Sequence, residues 1–143
     1  MDAIVVAVSI SAKKGQKKTP VDSVDLQENH GVVGDAHAGE WHRQVSLLAI
    51  ESIEKMQRLG FTVDAGDFAE NVTTRGIDLP SLPLGTRLAL GEAVIEVTQI
   101  GKECHDRCAI YKMAGDCVMP REGIFAQVIR GGTVRPGDAL VVL

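Results

Sequence analysis

A mainly β, barrel-like domain with one substantial helix and short helical segments is what this sequence predicts, and three observations predict it. Fifteen glycines punctuate short runs rich in Val, Ile, Leu and Thr, the pattern of many short strands joined by tight turns. Only one stretch keeps the spacing of an amphipathic helix. The 143 residues, 45% hydrophobic and 24% charged, are enough for one packed core and too few for a second. Residues 1–143 therefore read as a single domain, with no linker, internal repeat or low-complexity segment.

Taken in order, Ile4 to Ser11 is apolar and β-prone, so it reads as a strand. Lys13-Lys14-Gly15-Gln16-Lys17-Lys18 is a basic loop closed by Thr19-Pro20. Val21 to Gln27 alternates Val21, Ser23 and Asp25 against Asp22, Val24 and Leu26, a second strand. Ser46 stands before Leu47, Ile50, Ile53, Met56 and Leu59, and Gly60 follows. That combination of a plausible N-cap, i, i+3 spacing and C-terminal glycine predicts a helix beginning near Ser46. Arg87–Leu90 and Ala93–Thr98 flank Gly91-Glu92, whose leading glycine suits a type II′ hairpin. The tail, Gly131 to Leu143, is a further turn followed by a strand. Many short strands need a way to retire their edges, and closing into a barrel does so.

Charge and composition exclude several functions. Fifteen basic against nineteen acidic residues give a net charge of −4, so a polyphosphate strand meets repulsion over most of the surface. Aromatic residues make up 3% of the chain, too few for base-stacking platforms. Nucleic acid is thus not the expected partner. The apolar start of the chain lacks a positive leading segment. No apolar run approaches the roughly 18 residues of a membrane helix, so neither export nor a membrane partner is expected and the cytoplasm is the expected compartment. Three cysteines, Cys104, Cys108 and Cys117, are an odd count that suits thiol or metal chemistry better than a disulfide framework. The P-loop, dinucleotide-binding and nucleophile-elbow motifs are absent.

The densest chemical signal is Gly101-Lys102-Glu103-Cys104-His105-Asp106-Arg107-Cys108, with Cys117 nine residues on. A thiol reacts as thiolate, and its free pKa of about 8.5 falls beside Lys, Arg or protonated His. Lys102, His105 and Arg107 are such neighbours in sequence. Zinc competes for the same residues, but one Cys-x-x-x-Cys plus a lone Cys is not knuckle spacing. A buried structural thiol is the third reading. The second signal is Gly31 to Gln44, where Gly34, Asp35, His37, Trp41, His42 and Arg43 fall between glycines that permit close backbone approach. Such a loop suits either an anionic small molecule or an ordinary solvated turn. Lys13, Lys14, Lys17 and Lys18 are likewise either a solvated loop or the phosphate side of a pocket, since Gly15 lets that loop fold around an anion. Glu70 and Asn71, in Gly66 to Thr73, offer an acceptor and an amide at a bend.

In combination and order, the early strand with its basic loop, Gly31-Val32-Val33-Gly34-Asp35-Ala36-His37, Gln44-Val45-Ser46-Leu47-Leu48, Glu70-Asn71-Val72, Leu84-Gly85-Thr86-Arg87-Leu88, the cysteine segment after Thr98-Gln99-Ile100-Gly101, and the closing Gly137-Asp138 resemble the MOSC domain. That family is named for the C-terminal domain of molybdenum cofactor sulfurase, and the resemblance covers nearly the whole chain. It implies a β-rich barrel in which a reactive cysteine handles sulfur or ligates the metal of a pterin-bound molybdenum cofactor (molybdopterin). Cys104 matches the family's cysteine best, as sulfur carrier or molybdenum ligand, with Cys108 its rival; the Cys-x-x-x-Cys spacing departs from the Cys-x-x-Cys of some larger members. No desulfurase domain with a pyridoxal-phosphate lysine is present, so the chain is similar to the stand-alone bacterial members.

The reading that follows is a chain that binds the molybdenum cofactor or a related pterin and carries sulfur as a cysteine persulfide. The sulfur comes from a donor protein such as a cysteine desulfurase, with a molybdoenzyme as client and Cys108 or Cys117 as resolving thiol. Lys13, Lys14, Lys17, His37, His42 and Arg43 are the expected counter-charges to the cofactor's phosphate, with Gly34, Asp35, Lys102 and Arg107 beside them, and Glu70 and Asn71 as pterin hydrogen-bonders. Two alternatives belong to other classes: a non-catalytic cofactor carrier or scaffold whose cysteine ligates molybdenum, and a zinc-stabilised interaction domain.

Overall fold

Alternating apolar residues set the architecture, and the computed structural model describes residues 3–14, 16–101 and 122–143 of it. The strands are β1 (Ala3–Ile10), β2 (Thr19–Val21), β3 (Val24–Gln27), β4 (Gly31–Val32), β5 (Val45–Ala49), β6 (Val72–Arg75), β7 (Arg87–Leu90), β8 (Ala93–Ile100), β9 (Ile124–Arg130), β10 (Gly132–Val134) and β11 (Ala139–Val142). Helix α1 (Ile50–Arg58) follows β5, and a 3-10 turn covers Leu79–Ser81. Seven strands run in the order β11-β7-β8-β9-β5-β6-β1, and β1 also pairs with β11, through Ala3↔Leu140 and Ile4↔Ala139. The expected barrel is thereby closed. β2 continues the row beside β1, and β10-β3-β4 form a separate three-stranded sheet.

The barrel interior is filled by Val5, Val8, Leu47, Val72, Leu88, Ile95, Ile124 and their neighbours. Val5 and Val8 are three residues apart, which on a regular strand would send them to opposite faces. An irregularity in the β1–β6 register between Val5 and Ala7 restores both to the interior, the usual effect of an inserted bulge residue, and Val6 packs outside. The outer face carries a smaller cluster of Leu48, Ile50, Ile53, Met56, Phe68 and Phe125 beneath α1.

The hairpin is as the sequence predicts: Leu90 pairs with Ala93, and of the turn residues only Gly91 has positive φ, at 54°. The tail is also a turn followed by a strand, with a short strand, β10, preceding the turn. The expected strand over Val21–Gln27 is instead two. β2 stays with β1, whereas β3 pairs with β10 and β4, so the chain changes sheets at Asp22-Ser23. Val24 and Leu26 are buried and Asp25 and Gln27 exposed, as the alternation requires.

The helix exists but does not begin at Ser46. β5 runs on to Ala49, which is the N-cap and makes no side-chain capping bond. The reason is long-range. The Ser46 hydroxyl accepts the Asn71 N–H at 3.0 Å and donates to Asn71 Oδ1 at 3.1 Å, and the Ser46 amide donates to the same oxygen. Ser46 is thus committed to β6, and its parallel neighbour requires a crossover, which α1 supplies. Gly60, at φ +98°, ends the helix as expected. Ser46→Ala should therefore cost about 1–2 kcal/mol of stability through the buried bonds it loses. Helical circular dichroism at low temperature should be unchanged, whereas a capping role would show as lost helix.

Candidate functional site

The site is organised by Asp35, which the β4 turn delivers to the open end of β1. Val33 N–H is bonded to Asp25, Asp35 N–H to Val32, and Ala36 N–H to the Ser11 carbonyl at 2.8 Å. Gly34 turns the corner with φ +85°, a left-handed conformation that a side chain would strain. Asp35 then returns the contact: its Oδ1 accepts the Ser11 amide at 3.0 Å and its Oδ2 the His37 amide at 3.0 Å.

Into this carboxylate comes Lys18, whose Nζ lies 2.8 Å from Asp35 Oδ1 with both side chains fully buried. The same ammonium reaches Ser11 Oγ at 3.2 Å and His37 Nδ1 at 3.1 Å. An ammonium only donates, so His37 Nδ1 is the acceptor and the ring proton sits on Nε2. Burial by itself would raise the Asp35 carboxyl. The contacts from His37, Lys18 and Ser11 outweigh it and hold the group well below the ordinary carboxylate range.

Trp41 extends the cluster. Its indole N–H donates to the His37 carbonyl at 2.7 Å, its ring lies parallel to that of His37, and Lys14 Nζ sits 4.9 Å above its centroid. His42 meets the Trp41 edge. Its Nε2 lies 2.9 Å from Gln99 Oε1, the same oxygen that accepts Arg43 Nε at 3.0 Å. Arg43 also lies over the Phe125 ring, 5.1 Å away. Gln99, near the end of β8, donates its amide to the Gly101 carbonyl, and Gly101 N–H is bonded to Gly123. A continuous run of basic and N–H-bearing groups thus leads from Lys18 to the root of the β8–β9 connection.

The structure brings together Lys14, Asp35, His37, His42 and Arg43 of the residues expected from sequence, and leaves Lys13, Lys17 and Gly34 exposed beside them. Glu70 and Asn71 are wholly buried. Asn71 braces three strands, accepting from Ser46 and donating to the Ser9 carbonyl at 3.2 Å. Glu70 Oε2 accepts the Gly66 amide and the Thr73 hydroxyl. Cys104, Cys108, Cys117, Lys102 and Arg107 lie outside the described residues. Gln99, Ser11 and the distinct role of Lys18 were not singled out from sequence. For Lys18 one signal exists: it alternates with exposed Lys17 and Thr19 on the way into β2.

A cleft of about 360 Å³ lies elsewhere, between α1 and residues 76–80, with Lys55 and Glu122 paired across it at 2.8 Å. It holds none of the groups above. Among the described residues no group of three or more His, Cys, Asp or Glu is placed to hold a metal ion, and no helix is long and apolar enough to cross a membrane. The donors that are present suit an oxyanion: a guanidinium held by its Nε, histidine N–H groups and lysines.

Comparison with solved structures finds the same fold in several bacterial proteins. The YuaD protein of Bacillus subtilis matches with a TM-score of 0.82 at 22% identity, covering 98% of this chain and 94% of that one. YiiM of Geobacillus stearothermophilus gives 0.74 at 22% identity over 99% and 75%, and YiiM of Escherichia coli 0.72 at 21% over 100% and 70%. No curated protein matches the chain. The model of one family, the MOSC domain, matches residues 34–141. That span runs from the Gly34-Asp35 turn through every barrel strand but β1, and the chain belongs to the MOSC domain family.

Proposed function

We propose that this chain binds the phosphate-bearing end of a pterin, the molybdenum cofactor or an intermediate of it, on the surface formed by Lys14, His37, His42 and Arg43, and that a cysteine within residues 102–121 carries sulfur. The observation that supports this most is the run of basic groups from Lys18 to Gln99, which ends where β8 leads into the segment containing all three cysteines. Arg43 gives its Nε to Gln99, which fixes the guanidinium plane and leaves the two Nη groups for a paired contact to an oxyanion. Lys18 and Asp35 hold His37 so that its Nε2–H is available to the ligand.

In the sulfur step, the Cys104 thiolate attacks the terminal sulfur of a donor persulfide. The donor's S–S bond breaks, the donor leaves as thiolate, and Cys104 holds the new S–S bond. The cofactor, when bound, would supply a sulfur-accepting metal centre, with Lys14, His37, His42 and Arg43 as the residues that would hold its phosphate. Attack by the Cys108 or Cys117 thiol on the inner sulfur releases sulfide and leaves a disulfide.

Lys14→Glu and Arg43→Glu should each weaken binding of a phosphate-bearing pterin about 10- to 100-fold, read by the fluorescence of Trp41, the one tryptophan. Parent-like binding in both would overturn the site. Mass spectrometry of protein exposed to a donor persulfide should show one added sulfur, lost in Cys104→Ser. Loss in Cys108→Ser alone would transfer the role to Cys108. A pterin adduct without sulfur would mark a carrier, and stoichiometric zinc an interaction domain.

A further inference from the structure

One residue from the Lys18 backbone, through Gly66, lies a buried carboxyl without an assigned role. Glu70 is fully buried, and it grips the turn over residues 64–68 with one oxygen: Oε2 accepts Gly66 N–H at 3.0 Å and Thr73 Oγ1–H at 2.9 Å. Its other oxygen, Oε1, has no hydrogen-bond partner among the described residues, and neither has the nearby buried hydroxyl of Ser9. Gly66 is the link outward. Its carbonyl accepts the Lys18 amide at 2.8 Å. Its φ is +88°, and a Cβ there would stand 2.3 Å from the Lys18 carbonyl oxygen and 3.1 Å from Ser9 Oγ. The turn is pressed directly onto the Lys18 backbone. Ala69, next to Glu70, is held in the left-handed region at φ 65°, which a non-glycine residue adopts only when its surroundings enforce it.

We propose that Glu70 is a positioning residue for Lys18, acting through Gly66, and that its ionisation tightens the anion-binding surface. The ionised carboxylate makes charge-assisted bonds to Gly66 N–H and Thr73 O–H, whereas the neutral acid makes weaker ones. Burial pushes the Glu70 carboxyl up to about 7 against the pull of the Gly66, Glu70 and Phe68 amides and the Thr73 hydroxyl, so both forms are populated near neutrality. Lys18 from the basic loop is on Asp35, and Asp67 and Asp64 from the turn accept the amides of Asp64 and Ala65. β1 and β5 bring the hydroxyls of Ser9 and Ser46, and α1 meets Phe68 of the turn through the apolar cluster of Ile50, Ile53 and Met56.

This inference rests on the anion-binding reading for its functional half and on the hydrogen bonds for its relay, so two readouts separate them. In amide NMR, Gly66 and Lys18 should titrate together near pH 7 in the full-length protein and neither should do so in Glu70→Gln; a Lys18 amide indifferent to that titration overturns the relay. Sulfate, a dianion throughout this range, is the binding probe. The ratio of parent to Glu70→Gln affinity should rise about threefold to tenfold as pH rises through 7. A flat ratio overturns the proposal while weaker binding by Lys14→Glu keeps the anion site. A falling ratio shows repulsion by the buried charge and overturns it too. Should Glu70→Gln fail to fold, Thr73→Val removes one donor to the carboxylate and should move the shared inflection to higher pH; an unmoved inflection would assign it to another group.

Discussion

Asp35→Ala should cost about 3–5 kcal/mol of stability, because it removes the carboxylate paired with the fully buried Lys18 ammonium. Both side chains are fully buried, and the pair is 2.8 Å apart. The loss would also free the Ser11 and His37 amides that Asp35 now accepts. Urea unfolding is the direct measurement, and in a thermal scan the midpoint should drop by roughly 10 °C or more. The double variant Lys18→Met with Asp35→Leu should recover most of the loss, since removing both charges avoids burying either. It should not recover binding to phosphate, because His37 then loses the bond that orients its ring. A single variant within about 1 kcal/mol of the parent would mean that water reaches the pair.

Stability should also fall as pH rises toward 8, opposite in sign to the effect of a salt-bridged carboxylate. Glu70 is raised from 4.5 to about 7, so between those values the folded chain holds a proton that the unfolded chain has released. Its contribution is fully present below the unfolded value and is lost as pH rises through the folded one. From about pH 5.5 to 8 the loss is about 2 kcal/mol. Asp35 works in the other direction: its depressed carboxyl contributes above the unfolded value of 3.8 and the contribution is lost as pH falls below that. Together they place the best stability in mild acid. Denaturation of the parent against Glu70→Gln at each pH isolates the first effect, since the difference should follow Glu70 alone. A parallel pair of curves would refute it.

What was legible in the sequence was what short-range pattern encodes. Gly91 allows the turn that joins two apolar runs, and the hairpin there needs no distant partner. Val24 and Leu26 alternate with polar residues and are buried accordingly. Ser46 misled for an instructive reason: a serine before an apolar, i, i+3 run is a local capping signal, but its hydroxyl was claimed by Asn71, twenty-five residues away. The break at Asp22-Ser23 was hidden because both halves alternate correctly, each for its own sheet. For the site, residue type was readable and burial was not. Four lysines share one loop in the sequence, and only the bonds between Ser11 and the turn after β4 bring Asp35 to Lys18. Gln99 looked like a strand residue among others. Its value comes from His42 and Arg43 converging on one of its oxygens across a separation of more than fifty residues.

Barrel closure by β1 and β11 has a kinetic consequence. The pair that seals the barrel joins Ala3 to Leu140, far apart in sequence, so a large loop-closure entropy must be met before the open row of strands can become a ring. During synthesis, the Ala3–Ile4 end of the β1 edge stays unpaired until β11 has emerged, and Val5 and Val8 remain without the packing they have in the finished barrel. Refolding should accordingly be slow for a barrel of this size, and the nascent chain should depend on holding chaperones until β11 is made.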